Sequence, residues 1–218
     1  MIYELPDDIV FPDPLTGEPD GELAHGGDLS PRRLLAAYEN GIFPWFSFRL
    51  YKKPKWYCPL DRFVIFPDEI HISHSVRNLL NKGTYRVTFN KDFDGVINGC
   101  AEKRINHFGA WLGEDMIAAY KKLHQLGFAQ SVEVWENDKL AGGLYGVTIA
   151  SCFMGESMFS RKPSASKIAL IALAQRMAAT GGRMIDCQFE TPHLLSMGGR
   201  HISYEEYMKI LRSPTYKL

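Results

Sequence analysis

A strand–helix–strand run late in the chain constrains the fold more than any other feature. SCFMGESMF (151–159) has the length and apolar content of a buried strand, and RMIDCQF (183–189) has those of a second one. Between them a helix begins at Ser164 or Ser166 and runs to about residue 179. Because the helix joins the two strands, we expect them to be neighbours in one sheet.

The pattern of apolar and loop-forming residues changes near residue 60. Residues 1–27 are dense in Pro, Gly and Asp, which indicates loops and turns. A short helix follows Ser30, since this N-cap residue precedes a proline and an apolar stripe, and Gly41 ends it. We therefore expect a small N-terminal domain over residues 1–60.

Beyond this boundary the pattern is more regular and predicts the order β-α-β-α-α-β-β-β-α-β-α. The last helix spans about 204–212 and begins with a capping box formed by Ser203 and Glu206. This order favours an α/β (α+β) fold, in which helices flank a mostly antiparallel sheet. We assign it to one domain over residues 61–218.

Composition excludes several classes of protein. Lys plus Arg number 25, as do Asp plus Glu, so any contact with nucleic acid requires a local basic patch. No window approaches the ~18 apolar residues of a membrane span, and the acidic, Pro-containing N-terminus is neither a signal nor a transit peptide. The four cysteines form no CxxC pair, and no His pair has zinc-ligand spacing. We expect a cytoplasmic protein with reduced thiols, no membrane association and no bound metal.

Three inward polar residues on the two strands indicate a functional site. Alternation places Asp186 and Gln188 on one face of their strand, and Glu156 interrupts the apolar strand before the helix. Buried polar groups are costly unless they are hydrogen-bonded, so backbone bonds or a salt bridge to a buried Arg or Lys are the structural alternatives. If the three side chains converge in a cleft, they favour an active site.

Two cationic segments are candidates for binding phosphate. Arg161 and Lys162 precede the helix start in SRKPSAS, where unpaired N–H groups attract anions. FRLYKKPKWY (48–57) interleaves aromatic rings with cations, which suits a single-stranded nucleic-acid end, although an ordinary exposed loop is an equally simple reading. No Q-x-x-G-x-G loop that would cradle coenzyme A is present.

Eight segments together resemble one family over about residues 10–210. The resemblance is to the leucyl/phenylalanyl-tRNA–protein transferases. GESMFSR followed about 25 residues later by IDCQ is its most specific part. The segments are FPWF (43–46), GGDLSP (26–31), HISHS (71–75), EVW (133–135), GGLYGV (142–147), GESMFSR (155–161), ASK (165–167) and IDCQ (185–188).

The resemblance implies a fold and an activity. The larger domain would be GNAT-like and would have lost coenzyme A, so no cofactor is expected. The protein would transfer leucine or phenylalanine from charged tRNA to proteins with N-terminal Arg or Lys, and so mark them for degradation by the N-degron route. A hydrophobic pocket discriminates weakly between similar side chains, so we expect methionine to be accepted weakly and β-branched residues to be hindered.

The resemblance also implies roles for individual residues. Asp186 and Gln188 would lie by the incoming α-amino group, and Glu156 would orient the ester or the substrate N-terminus. Our own hypothesis is that Asp186 attracts the cationic terminus and orients Gln188, which aims the amine. The cleft and the terminal adenosine would involve Tyr38, Trp45, Trp111 and Tyr120. The pocket for leucine or phenylalanine would be formed by Phe153, Met158, Leu170, Leu173, Met177 and Ile185, although the helical stripe of 170, 173 and 177 is also typical of a core. Binding of tRNA would involve Arg49, Lys52, Lys53, Lys55, Arg161 and Lys162.

The chain departs from the family pattern in three places. WYCPLDR (56–62) replaces W-W-S-P-D-P-R, the T-P-H after IDCQ is atypical, and Leu173 and Met177 stand where relatives often carry rings. These changes leave the preference between leucine and phenylalanine open.

The sequence leaves two other functions open. One is a coenzyme A-dependent N-acyltransferase, which the missing pyrophosphate loop argues against. The other is a non-catalytic tRNA-binding or degradation-adaptor protein, which the inward acids argue against. No long apolar helix face stands unsatisfied, so a monomer is expected.

Overall fold

The computed structural model describes residues 2–46, 48, 50–102 and 112–213. Within them the chain forms two β-sheets and seven α-helices. The helices are α1 (Pro31–Glu39), α2 (His74–Asn81), α3 (Phe93–Glu102), α4 (Glu114–Gln125), α5 (Ala165–Thr180), α6 (Pro192–Leu195) and α7 (Tyr204–Leu211). Among the described helices, none combines the length and the apolar character that a membrane crossing requires.

The smaller sheet belongs to the N-terminal part of the chain. Its order is β1-β2-β4-β3, and β1 runs parallel to β2 while the other pairs are antiparallel. Its strands are β1 (Tyr3–Leu5), β2 (Glu22–Gly26), β3 (Phe43–Pro44) and β4 (Lys55–Tyr57). The expectation that residues 1–27 are only loops and turns was therefore wrong. β1 and β2 are too short to show a period, and they form because they pair with each other and β2 pairs with β4.

The larger sheet has seven strands in the order β11-β5-β10-β9-β8-β7-β6. All neighbours are antiparallel except β9 and β10, which α5 connects as a parallel pair. The strands are β5 (Asp61–Ile65), β6 (Arg86–Phe89), β7 (Ala129–Glu136), β8 (Lys139–Ile149), β9 (Cys152–Ser160), β10 (Met184–Asp186) and β11 (Arg200–Ser203). The α/β fold class, with a mostly antiparallel mixed sheet flanked by helices, is confirmed, and the two strands joined by the helix are neighbours as expected.

The starts of α1 and α7 follow their local sequences, whereas the start of α5 does not. Ser30 accepts from the Arg33 amide at 3.3 Å, and Ser203 accepts from the Glu206 amide at 3.2 Å, so both expected caps are present. At α5 neither expected hydroxyl caps the helix, because Ser164 has a left-handed backbone and makes no cap bond. The Ser160 hydroxyl, at the end of β9, accepts from the Ser166 amide at 2.9 Å instead.

Two hydrophobic cores lie on the two faces of the larger sheet. One packs the sheet against α1, α3, α4 and α7 and extends into the smaller sheet, where Trp56 is fully buried. The other, called the α5 core below, lies between helices α2 and α5 and the face of the sheet that they cover, the α5 face. The first core therefore joins the N-terminal part of the chain to the sheet, and polar residues on that face can contact both.

Candidate active site

The site lies where the parallel strands β9 and β10 separate. They pair over three residues, and the last pair is Asp186 with Met154. β9 runs on to Ser160, whereas the chain after Asp186 stays on β5, where the Cys187 amide donates to the Phe63 carbonyl at 2.9 Å. The two chains therefore diverge just past Asp186, and polar side chains from both meet there.

A β-bulge places the acid of β9 at this point. Across β8 and β9, Gly146 pairs with Gly155 and Tyr145 pairs with Ser157, so Glu156 is an extra residue without a partner. A bulge of this kind bends its strand and turns a side chain out of the regular alternation. The backbones of β8 and β9 approach closely beside the bulge, since a Cβ at Gly146 would lie 2.1 Å from the Met154 carbonyl oxygen.

The same bulge reverses which residues of β9 face each core. Before it, Phe153 packs in the α5 core and Met154 in the opposite core. After it, Met158 packs against the α5 core and Phe159 lies in the opposite one. Phe153 and Met158, which strict alternation would place on opposite faces, therefore share the α5 face.

Glu156 is buried in a cluster of hydroxyl groups from two helices. The Tyr38 hydroxyl donates to Oε1 at 2.7 Å, and the Tyr120 hydroxyl donates to Oε2 at 2.6 Å. The two hydroxyls are themselves 2.7 Å apart. Tyr38 and Tyr120 are 1% and 0% exposed, so they hold the acid and are not part of an open surface.

The hydrogen count of this cluster favours a proton on the acid. Burial raises the pKa of Tyr38 and of Tyr120 well above the usual value, so each phenol supplies one proton. When both phenols donate to Glu156, the contact between the two hydroxyls has no proton of its own. A proton on Oε1 would donate to Tyr38 and free the Tyr38 proton for the contact with Tyr120. Burial raises the pKa of Glu156 to about 7, although the bonds from Tyr120 and Tyr38 lower it, so the proton is held close to neutral pH.

Gln188 and Asp186 complete the polar group on the other strand. The Gln188 side-chain amide donates to Oε1 of Glu156 at 3.3 Å, and its backbone amide donates to Oδ1 of Asp186 at 2.9 Å. The strand ends at Asp186, so simple alternation through residue 189 does not hold. The structure nevertheless brings Glu156, Gln188 and Asp186 together.

Asp186 does not face the site with a free charge. Arg62 binds both of its carboxylate oxygens, with Nε at 2.9 Å and Nη2 at 2.8 Å. Asp186 is only 1% exposed. The salt bridge to a buried Arg, the structural alternative for this residue, is therefore present, and Arg62 balances the charge with which Asp186 would attract a cationic terminus.

An aromatic group borders Gln188 on the side of the smaller sheet. Trp45 is 44% exposed and packs on Phe189 with ring centroids 5.1 Å apart. Phe43 contacts the other side of Phe189 at 5.7 Å. Trp45 therefore offers an exposed ring beside the site, whereas Trp111 lies outside the described residues.

The predicted pocket residues gather on the α5 face. Five of the six are buried in that core, and the sixth, Met158, is partly exposed at its edge. The buried five are Phe153, Leu170, Leu173, Met177 and Ile185.

The predicted tRNA-binding cations occupy two separate places. Lys52, Lys53 and Lys55 line a surface cavity of about 300 Å³ together with Tyr51. Two of them have acidic neighbours, since Lys53 pairs with Glu4 and Lys55 with Glu22.

Arg161 and Lys162 line a second cavity, of about 340 Å³. Arg161 pairs with Glu102 at 2.7 Å and Lys162 with Glu136 at 3.0 Å. Arg49 lies outside the described residues.

Sequence reasoning missed two members of the buried network, Arg62 and Tyr207. Tyr207 donates to Oδ2 of Asp186 at 2.9 Å. The available signal was an arginine at the start of the apolar strand β5, but only the strand order shows that β5 lies beside β10. Among the described residues, no group of His, Cys, Asp and Glu is arranged to hold a metal ion.

A buried acid with a raised pKa, placed where two strands diverge, is typical of an enzyme site. Two family models match consecutive parts of the chain and give its class as an aminoacyltransferase. Residues 64–212 match the model described as leucyl/phenylalanyl-tRNA protein transferase, and residues 27–60 match that family's N-terminal domain.

Curated relatives agree over nearly the whole chain. The proteins named leucyl/phenylalanyl-tRNA–protein transferase from Idiomarina loihiensis and Flavobacterium psychrophilum are 48% and 47% identical to it. These matches cover 95% and 97% of this chain and 89% and 100% of the relatives. The chain belongs to the leucyl/phenylalanyl-tRNA–protein transferase family.

Solved structures show only a remote likeness. The structure described as L-PGS from Bacillus licheniformis is 12% identical, with a TM-score of 0.43, over 80% of this chain and 57% of that one. The complex of AAC(6')-Iy with a bisubstrate analogue is 11% identical, with a TM-score of 0.39, over 62% of this chain and 93% of that one. These scores carry no functional conclusion.

Proposed function

We propose that this protein transfers leucine or phenylalanine, and methionine weakly, from aminoacyl-tRNA to the α-amino group of proteins that begin with Arg or Lys. The transfer would mark those proteins for degradation by the N-degron route. The observation that carries the proposal is the 3.3 Å contact between Gln188 and Glu156 where β9 and β10 diverge, beside a large apolar core. The family membership supports the same reaction.

The reaction needs placement more than it needs a strong base. The amine nitrogen attacks the ester carbonyl carbon, a peptide bond forms, and the ester C–O bond breaks as the ribose hydroxyl leaves with a proton. An N-terminal amine has a pKa near 8, so removing its proton costs only about 1.4 kcal/mol at neutral pH. Correct placement of two reactants contributes about 7–11 kcal/mol in favourable cases. The site therefore acts chiefly by holding the amine against the ester.

Glu156 and Gln188 are the groups proposed to hold the amine. Without substrate, burial raises the pKa of Glu156 to about 7, so the acid beside the Tyr38 and Tyr120 hydroxyls is partly protonated at neutral pH. A cationic α-ammonium group beside it favours the ionised carboxylate, because an opposite charge lowers the pKa of an acid. The Gln188 side chain then supplies a neutral carbonyl oxygen and amide to direct the nitrogen, as the residue nearest to Oε1 from the other strand.

The remaining expected residues are assigned by their place around this pair. Trp45 offers an exposed ring on which the terminal adenosine can stack. Tyr38 and Tyr120 act indirectly, through Glu156, since both are buried. The amino-acid side chain enters the α5 core at Met158, the one predicted pocket residue at the edge of that core.

Recognition of the tRNA is proposed to use cations on two sides of the site. The lysines at 52, 53 and 55 lie beside Tyr51, and cations next to an aromatic ring suit phosphates and unstacked bases. Arg161 and Lys162 would contribute by exchanging their carboxylate partners, the exposed Glu102 and the partly exposed Glu136, for phosphate oxygens.

We also propose a monomer, located in the cytoplasm, with a domain boundary near residue 60. The boundary is supported by the change of sheet, since β4 ends at Tyr57 and β5 begins at Asp61. The location is supported by the family's use of aminoacyl-tRNA.

The decisive experiment mixes the protein with leucyl-tRNA labelled in the amino acid and a peptide that begins with Arg. Label in the peptide is the expected result, and a peptide with an acetylated N-terminus is the matched control that should stay unlabelled. Binding of tRNA without transfer would favour the adaptor alternative. Acylation of the peptide from acetyl-coenzyme A would favour the N-acyltransferase alternative.

A further inference from the structure

The backbone of Gln188 is in an unusual conformation. Its φ is +64°, in the left-handed region that residues other than glycine rarely adopt. Such a backbone conformation is unfavourable and persists where the surroundings hold it. The Gln188 amide donates to Oδ1 of Asp186 at 2.9 Å, and the Phe189 amide donates to the Cys187 carbonyl at 2.7 Å, so a side chain and the backbone together hold this turn.

Asp186 is in turn fixed by residues from two other elements. Arg62 on β5 binds it through two parallel N–H···O bonds, and Tyr207 on α7 donates to Oδ2 at 2.9 Å. The side chains of Arg62 and Asp186 are 2% and 1% exposed. A bidentate pair of this kind sets the orientation of the carboxylate as well as its charge.

Arg62 has little freedom to move. Its guanidinium group lies 4.8 Å from the centroid of the Phe43 ring and 4.6 Å from that of the Tyr207 ring. Planar stacking and a fixed fork of donors are properties of arginine that lysine does not share. Arg62 fixes the one side-chain acceptor of the Gln188 amide, and its hydrogen bonds go to Asp186 and Tyr207.

We propose that Arg62 is a positioning residue for aminoacyl transfer, acting through Asp186 to hold the left-handed backbone of Gln188 so that its side chain faces Glu156. The inference rests on the proposed function of Gln188. It assigns Asp186 to the support of a neighbour and removes it from contact with the substrate.

If the Arg62–Asp186 pair only stabilises the fold, its loss would lower Tm and leave kcat unchanged. The test therefore needs a control substitution at an arginine that is equally buried. Arg33 is the matched control, since it is also fully buried and donates to the backbone carbonyls of Pro6 and Asp7 at 3.0 and 2.9 Å. These carbonyls belong to the N-terminal segment and not to the Gln188 turn.

The experiment compares Arg62→Lys with Arg33→Lys by kcat, by KM for each substrate and by thermal melting. We expect Arg62→Lys to lower kcat by on the order of tenfold or more, because small misplacement of a reacting group is costly. Its KM values should stay near wild type. Arg33→Lys should lower Tm without lowering kcat per folded molecule. A loss of Tm alone in both variants would overturn the proposal.

A second variant guards against misfolding. Arg62→Met combined with Asp186→Leu removes both charges, and replacing a buried pair by apolar residues leaves no charge unpaired. We expect this folded double variant to lose at least as much kcat as Arg62→Lys, since the Gln188 amide has lost its acceptor. Wild-type kcat in the double variant would refute the proposed positioning.

A non-additivity test separates the two proposals. If Arg62 acts through Gln188, Arg62→Lys should cause little further loss in a Gln188→Ala background. Full additivity, or full activity of Gln188→Ala alone, would overturn the positioning role while leaving the transfer reaction intact. Failure of the wild-type chain to label the Arg-starting peptide would instead overturn the proposed function.

Discussion

Tyr38 on α1 and Glu156 on β9 are joined by a 2.7 Å hydrogen bond between the phenol and the buried carboxyl group. This bond crosses from the N-terminal part of the chain to the central strand of the larger sheet. Tyr120 on α4 closes the group from a third direction. The ionisation of one acid therefore depends on elements that lie 118 and 36 residues away from it.

The first prediction concerns the proton on Glu156. In the substrate-free protein, infrared spectra should contain the carbonyl stretch of a protonated, buried carboxyl group well below pH 7, and this band should fade well above pH 7. The same band should be missing from Glu156→Gln. If the difference spectrum between the two proteins contains only a carboxylate signal at low pH, Glu156 does not supply a third proton to its contacts with the Tyr38 and Tyr120 hydroxyls.

The second prediction is a slope of stability against pH. The pKa of Glu156 rises from the ordinary value of 4.5 to about 7 in the folded protein. Between these values the native state binds more protons than the unfolded state, so the free energy of unfolding falls as the pH rises through that window. The fall is on the order of 3 kcal/mol, at about 1.4 kcal/mol for each pKa unit. Urea unfolding across the window measures it.

Glu156→Gln should flatten this part of the slope. Glu205→Gln, which removes an exposed acid on α7, is the matched control and should keep the wild-type slope. Equal slopes in the wild type and in Glu156→Gln would contradict the prediction.

The third prediction concerns the pocket. Met158→Ala enlarges the edge of the α5 core, so transfer of phenylalanine should rise relative to leucine, by an amount equivalent to about 1–3 kcal/mol. The wild type should transfer methionine weakly and isoleucine poorly. A competition assay with the four charged tRNAs measures both ratios. Leu79→Ala, which alters the same core from α2, should keep the wild-type preference, and an unchanged ratio in Met158→Ala would exclude this residue from the pocket.

The fourth prediction concerns the basic surface at residues 52–55. Lys52→Glu combined with Lys53→Glu should raise KM for aminoacyl-tRNA, and the dependence of KM on salt should weaken because fewer phosphates are contacted. Lys82→Glu with Lys209→Glu, at two exposed positions on other helices or their ends, controls for net charge. Equal KM values in the two double variants would place the tRNA elsewhere.

Short sequence patterns predicted the elements that are stabilised by contacts between residues close together in the chain. Ser30 with Pro31 and Ser203 with Glu206 marked the starts of α1 and α7, because a cap is satisfied within three residues. Local periodicity also identified β9 and β10 as strands. The short strands β1 and β2 escaped this reasoning, since three and five residues carry too little pattern without their partners.

The sequence by itself determined the helix between two apolar strands, and hence the neighbourhood of Glu156, Asp186 and Gln188. Tertiary structure alone decided how those residues are used. The bulge at Glu156 depends on pairing with β8, and the neutralisation of Asp186 depends on an arginine 124 residues away. Periodicity and capping act within a few residues of the chain, whereas strand register and buried charge pairing are set by distant segments that meet only in the fold.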